Sequence, residues 1–79
     1  MDEASWSRMR WRCRRGMLEN DIILTRYLDV VGREMPASDV EALDQLLDLP
    51  DNELWDLLSG RIEPEDATLQ QLVRQLRAV

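Results

Sequence analysis

The chain has 79 residues, a length that allows one small domain built around a single hydrophobic core. Hydrophobic residues make up 44% and charged residues 33%, which is the composition of a folded chain. Histidine is absent and the lone cysteine is Cys13, so a Cys/His zinc site, an intrachain disulfide and histidine-based catalysis are excluded. No apolar run approaches the roughly 20 residues of a membrane helix, and the start of the chain lacks the apolar stretch of a secretory signal. We therefore expect a cytoplasmic protein of one domain, residues 1–79, with no membrane insertion.

The charge is distributed unevenly along the chain. The net charge is −6, yet residues 1–15 carry +3 and residues 16–79 carry −9. All ten basic residues are arginine, and five of them fall between Arg8 and Arg15. Arginine forms forked hydrogen bonds to carboxylates and stacks on aromatic rings, which suits it to interfaces. A general preference for Arg over Lys does not explain this cluster, so the N-terminal segment is a candidate for a functional role.

The first two predicted elements are helices that meet near a glycine. A narrow apolar stripe at helical spacing predicts a helix over about residues 4–14, and Gly16 is expected to cap its C-terminus. The pattern resumes over residues 17–31, where apolar residues surround much of the circumference. This second helix is therefore predicted to be the central, most buried one, and Gly32 is expected to end it.

Three more helices are predicted in the rest of the chain. A capping box from Ser38 to Glu41 is expected to open the third helix, Asp51 to cap the fourth, and Pro64 to occupy the first position of the fifth. The fifth helix has the clearest amphipathic stripe, formed by Leu69, Leu72, Val73 and Leu76. Strand and hairpin signals are missing, so the sequence predicts an all-α protein, a compact bundle of about five short helices.

The candidate site lies where the first two predicted helices meet. Arg14 and Arg15 precede Gly16, Glu19 follows three positions later, and Asp21 lies on the same helix as Glu19. A glycine lets the backbone of a partner approach closely, and charges of both signs beside it can recognise a partner through charge-assisted hydrogen bonds. The same pattern also fits a purely structural role, in which Gly16 is a helix cap and the charges answer the helix dipoles.

Other functions find less support in the sequence. No calcium-type loop, phosphate-binding glycine loop or catalytic constellation is present, so we expect a binding protein and not an enzyme. The alternative is an antitoxin-like or nucleic-acid-linked regulator, in which the N-terminal arginines contact phosphates while Trp6 and Trp11 stack on bases. The −9 charge on the remainder of the chain opposes that alternative, because it repels a polyanion. A helical adaptor for some other partner is the third hypothesis.

The segment near the N-terminus contains the run Trp11, Cys13, Arg14, Arg15, Gly16, Met17, Glu19 and Asp21. With this run the chain resembles the SdhE family of flavinylation factors, which assist the assembly of succinate dehydrogenase. The later helices match the family pattern as well, so the resemblance covers nearly the whole chain. One departure is Asn20, where family members commonly carry Leu, and we interpret it as a packing variation.

The resemblance implies a five-helix assembly factor that binds the flavoprotein subunit of succinate dehydrogenase or fumarate reductase and promotes its covalent attachment to FAD. It implies that the attachment chemistry resides in the flavoprotein, so the factor is a chaperone with no catalytic residues and no metal ligands. The implied partner-binding residues are Arg14, Arg15, Gly16, Glu19 and Asp21. Since no dinucleotide fingerprint is present, we expect that FAD belongs to the partner and that this chain binds no cofactor. We also expect a monomer that binds no nucleic acid.

Overall fold

The computed structural model describes residues 1–79 as five α-helices joined by short connections, with no strand. A turn of 3-10 helix follows the second helix, and no helix combines the length and the apolar character needed to cross a bilayer. The predicted all-α bundle of about five short helices is confirmed. The helices are α1 (Glu3–Arg12), α2 (Leu18–Val31), α3 (Ala37–Leu47), α4 (Asp51–Leu58) and α5 (Ala67–Ala78).

Three helix ends are fixed by local chemistry that the sequence supplies. Asp2 caps α1, because its side chain accepts a hydrogen bond from the Ser5 N–H at 2.7 Å. Asp66 caps α5 in the same way and accepts from the Thr68 N–H at 2.8 Å. Gly32 ends α2 as predicted, with a φ of 64° that residues bearing a Cβ rarely adopt.

The predicted starts of the last three helices were wrong. α3 begins at Ala37 directly after Pro36, so Ser38 lies inside the helix and caps nothing. α4 likewise begins at Asp51 after a proline, and the Asp51 side chain makes no cap hydrogen bond. In both cases the fixed φ of proline sets the direction in which the chain enters the helix. Pro64 precedes α5 without opening it, because Asp66 is the stronger N-cap.

The core consists of one cluster of fifteen buried side chains to which all five helices contribute. α5 packs against α2, α3 and α4, and its residues Leu72 and Val73 are fully buried. α2 contributes buried Leu24 but leaves Val30 74% exposed. The prediction that the second helix is the central, most buried one is therefore not confirmed, because α3 buries as many residues (four) and α5 packs against three other helices.

α1 is attached to the bundle by two buried side chains, by the half-buried Trp6 and by a set of ion pairs. Met9 and Cys13 insert into the core with 4% and 1% exposure. Arg10 pairs with Asp29 of α2 at 3.5 Å, while Arg12 pairs with Asp44 and Asp48 at the end of α3. The uneven charge of the sequence therefore has a structural use, because a basic first helix lies against acidic positions on later elements. The position of α1 fixes the direction in which the chain leaves it.

Candidate functional site

The segment that joins α1 to α2, residues 13–17, forms a tight corner on the surface of the protein. α1 ends at Arg12 with Cys13 as its C-cap, and the next N–H, that of Arg14, bonds to the Trp11 carbonyl at 3.1 Å. At Met17, where α2 begins, the backbone is in the extended conformation, with a ψ of 120°. Gly16 has no positive φ and lies outside the helix end, so the prediction that it is a C-terminal cap was wrong. We call this segment the α1–α2 corner.

Arg15 is turned inward and fastens the corner to the link between α3 and α4. Its Nε donates to Asp51 Oδ1 at 2.8 Å, and its two terminal nitrogens donate to the carbonyls of Leu47 and Leu49. The side chain is 16% exposed, so nearly the whole guanidinium is used within the protein. The structure thus places Arg15 beneath the surface, where it holds the corner in shape.

Asp51 is the acceptor on which the corner converges. One carboxylate oxygen accepts from Arg15 and from Asn20 Nδ2 at 3.3 Å, and the other accepts from the Met17 N–H at 3.2 Å. The hydrogen bond from Arg15, followed by those from Asn20 and Met17, lowers the pKa of the Asp51 carboxyl below its ordinary value. Asp51 was not predicted to belong to the site, because its position at the start of the fourth predicted helix indicated only a helix cap.

Asn20 is the second residue that sequence reasoning undervalued. It is fully buried, and its Nδ2 donates to the Asp51 carbonyl at 3.0 Å as well as to the carboxylate, while its Oδ1 has no partner. The interpretation of Asn20 as a packing variation was incomplete, because Asn20 also shares the acceptor Asp51 Oδ1 with Arg15. The signal available in the sequence was an asparagine on the otherwise apolar inner side of α2. Because buried polar groups are hydrogen-bonded, such a residue indicates a polar partner nearby.

The other four predicted site residues lie at or near the surface. Arg14, Gly16 and Glu19 are exposed, whereas Asp21 is half-buried and accepts from the Thr25 hydroxyl at 3.4 Å. A Cβ built on Gly16 would meet nothing closer than Asp51 Oδ2 at 3.5 Å, which is an ordinary contact. The fold therefore requires neither the small size nor the conformational freedom of glycine at this position.

Trp11 lies beside the corner and was not among the predicted partner-binding residues. It is 71% exposed, an unusual state for a side chain with so much apolar surface. The Arg14 guanidinium lies 5.6 Å from the centre of its ring, within the range of a cation–π interaction. On one side of the corner, Arg14 lies over the Trp11 ring. On the other side lies the exposed carboxylate of Glu19.

Cys13 provides no reactive group at the corner. Its thiol is 1% exposed, and burial raises the pKa from 9.0 to about 12 despite the neighbouring Arg12 and Arg15. In this fold the Cys13 thiol is therefore not accessible for a disulfide with a second copy of the chain. The reason is that the last turn of α1 tightens and carries this side chain into the core.

The fold and the corner define a small five-helix protein that exposes charged side chains of both signs where α1 and α2 meet. The chain belongs to the Sdh5 family, described as the flavinator of succinate dehydrogenase, whose model matches residues 7–79.

Curated relatives from several bacteria support the assignment to this family. The chain is 49% identical over 77 residues to the FAD assembly factor SdhE of Ralstonia nicotianae, covering 92% of this chain and 81% of the relative. It is 40% identical over 70 residues to the protein of the same name in Coxiella burnetii, covering 89% and 85%. The corresponding protein of Methylococcus capsulatus is 43% identical over 72 residues, covering 91% and 87%. No solved structure matches the chain.

Proposed function

We propose that this protein is an assembly factor that binds the flavoprotein subunit of succinate dehydrogenase, or of fumarate reductase, and promotes the covalent attachment of FAD. The description of the family and the names of the relatives support this role. The factor acts by selecting a conformation of the flavoprotein that is competent for the attachment reaction, because a binding partner shifts the population of the state that it binds best.

The exposed glycine at the α1–α2 corner is the observation that carries the proposal. Gly16 is open to solvent, and nothing inside the protein requires a glycine there. A missing side chain on a rigid surface lets the backbone of another protein come into van der Waals contact. Arg14 and Glu19 are exposed on either side and supply charged groups that fix the orientation of that contact. Arg15 contributes from below by holding the corner against Asp51.

The chemistry of the side chains supports a factor that does not itself catalyse the attachment. The chain has no histidine, and its one thiol is buried with a pKa of about 12. The strongest acid–base feature, the Arg15–Asp51 pair, is engaged in internal hydrogen bonds. We therefore assign the covalent chemistry to the flavoprotein, and we assign FAD to the partner, since this chain has no glycine-rich loop for a pyrophosphate.

Further parts of the proposal concern the state of the protein in the cell. We propose a monomer in the cytoplasm, where a single buried thiol is in keeping with a reducing environment. Nucleic acid is not a proposed partner, because Arg10, Arg12 and Arg15 are paired with aspartates of the same chain. Those pairs neutralise much of the basic cluster that suggested phosphate contacts.

The test is in-gel fluorescence of covalently bound flavin in the succinate dehydrogenase flavoprotein, compared between cells with and without the gene. We expect the signal to fall on deletion and to return with the wild-type protein but not with Gly16→Arg. Gln71→Arg is the matched control, because it adds the same side chain at an exposed position of α5. Equal flavinylation in the deletion strain would refute the assembly role, and full rescue by Gly16→Arg would refute the role of the corner.

A further inference from the structure

A shallow cleft runs beside the corner, between α1 and α2. Its α1 wall is formed by residues spaced three and four apart, among them Arg10, Trp11 and Arg14, and its α2 wall includes Asp21 and Thr25. The cleft has a volume of about 460 Å³ and is open to solvent along its length. We call it the α1–α2 cleft. Its shape suits a protruding segment of another protein better than an enclosed small molecule.

The charged side chains that line the cleft differ in whether they have an ion-pair or hydrogen-bond partner within the protein. Arg10 is paired with Asp29 at 3.5 Å, and Asp21 accepts a hydrogen bond from Thr25. The Arg14 side chain makes no ion pair and no hydrogen bond, and its guanidinium carbon lies 5.6 Å from the centre of the Trp11 ring. The cleft is therefore left with one cation that has no anion, although the chain as a whole has an excess of carboxylates.

Trp11 differs from the other two tryptophans in having no structural use. Trp6 and Trp55 are half-buried and pack against the core cluster, whereas Trp11 is 71% exposed. An exposed tryptophan beside an arginine is the pair of residue types most enriched among the side chains that dominate binding energy at protein interfaces. The cation–π interaction with Arg14 favours one orientation of the ring, which reduces the side-chain entropy lost when a partner covers it.

We propose that the α1–α2 cleft receives a segment of the flavoprotein that carries a carboxylate side chain beside an apolar one. The carboxylate pairs with the Arg14 guanidinium, and the apolar side chain lies against the Trp11 ring. This inference rests on the proposed function and names the chemistry of the partner at a second contact, next to Gly16. The two contacts together fix the rotation of the factor on its partner, which one contact at a glycine does not.

An acidic segment fits this cleft for a reason that extends to the whole molecule. With a net charge of −6, most of the surface repels an acidic partner, and the N-terminal region is where the sequence is basic. Arg74 also has no ion pair but has no exposed aromatic ring in cation–π contact, so a segment that is both acidic and apolar is oriented toward Arg14 and Trp11. A basic segment would meet Arg14 unfavourably here and would find better sites on the rest of the surface.

The first experiment measures the Kd between the full-length protein and the purified FAD-free flavoprotein subunit. We expect Trp11→Ala and Arg14→Glu each to raise Kd at least about 30-fold, the effect of losing a dominant interface residue. Arg74→Glu is the matched control, since Arg74 is exposed on α5 and has no ion pair, and we expect a change below about 3-fold. Unchanged thermal unfolding of the variants would show that the fold is intact, as the exposure of the substituted residues leads us to expect.

The second experiment identifies the carboxylate. The chain contains no lysine, so Arg14→Lys introduces the one side-chain amine of the protein. A carbodiimide, which joins an amine to a carboxylate in contact with it, is then expected to link position 14 to an aspartate or glutamate in one flavoprotein peptide. Wild type, with its α-amino group alone, and Arg74→Lys are the controls and should give no such link.

The outcomes separate this inference from the function on which it rests. If wild type binds the flavoprotein while Trp11→Ala and Arg14→Glu bind equally well, the cleft is not a contact and the assembly role still stands. If Arg14→Glu weakens binding but Arg14→Lys yields no link to an acidic residue, the carboxylate is wrong. If wild type does not bind the flavoprotein at all, both proposals fall together.

Discussion

Replacing Asp51 with alanine should destabilise the protein more than the position of this residue, on the surface of a short helix, suggests. The substitution removes the acceptor for Arg15 Nε at 2.8 Å, for the Met17 N–H at 3.2 Å and for Asn20 Nδ2 at 3.3 Å. Arg15 is 16% exposed, so the variant would leave its charge largely buried without a carboxylate. Exposed pairs contribute up to about 1 kcal/mol and disruption of fully buried ones costs about 3–5 kcal/mol. Because the Asp51 side chain is 29% exposed and so lies between these cases, we expect the free energy of unfolding to fall by about 2–3 kcal/mol.

A loss of that size is a large part of the stability of so small a domain. A chain of this length has a free energy of unfolding of about 4–12 kcal/mol, and each kcal/mol corresponds to a shift of roughly 4–8 °C in Tm. The assay is urea unfolding followed by circular dichroism at pH 7, together with a thermal melt. We expect a Tm lower by roughly 10–20 °C. Asp48→Ala is the matched control, because Asp48 pairs with Arg12 while 78% exposed, and it should cost less than about 1 kcal/mol.

The same comparison has a pH dependence whose sign follows from the lowered pKa. A carboxyl with a folded-state pKa below its ordinary 3.8 stabilises the protein above that value, and the contribution is lost as the pH falls through the lower folded value. The difference between wild type and Asp51→Asn should therefore be full at pH 7 and should close below about pH 4. Equal stabilities of the two proteins at pH 7, or a coupling between Arg15→Met and Asp51→Ala below about 0.5 kcal/mol, would refute the reasoning.

Three further predictions concern the core and the helix ends. Leu72→Ala should cost about 2–5 kcal/mol by leaving a cavity, whereas Leu18→Ala, at a position 63% exposed, should stay within about 0.5 kcal/mol, and urea midpoints would distinguish them. Asp66→Ala removes the cap of α5 and should lower Tm by roughly 4–8 °C; an unchanged Tm would mean that the cap hydrogen bonds contribute nothing. Cys13 and Tyr27 both have pKa values raised to about 12 by burial, so stability should be constant up to about pH 9 and fall as the pH rises toward 12; a flat urea midpoint across that range would contradict their burial.

The helices themselves could be predicted from periodicity, but not the residues that begin them. The apolar stripe of α5 and the glycine that ends α2 are strong local signals, and both were confirmed. The starts of α3 and α4 follow prolines, and there two local signals competed: a proline that fixes φ and a polar residue able to cap. Which of them prevails depends on where the helix must point to bury its apolar face, and that is set by tertiary packing.

That the candidate residues lie together where the first two helices meet could also be predicted, whereas the contacts that each of them makes could not. Arg14, Gly16 and Glu19 are exposed at the α1–α2 corner, as a partner surface requires. Arg15 directly follows Arg14 in the sequence but points into the protein. Its hydrogen-bond acceptors there lie more than 30 residues away in sequence. The local pattern of a single sequence does not indicate a contact at that separation. The role of Asp51 therefore became evident only from the tertiary structure.

The hydrogen bond between Arg15 and Asp51 joins positions 36 residues apart, and this has a consequence for the order of folding. Closing so long a loop loses chain entropy, which is offset only when α4 docks against α2 and α5. α1 and α2 can form as helices early, but they cannot shape the corner between them. A chain that lacks α4 would therefore lack the Arg15–Asp51 hydrogen bond that shapes the corner, even where α1 and α2 are present.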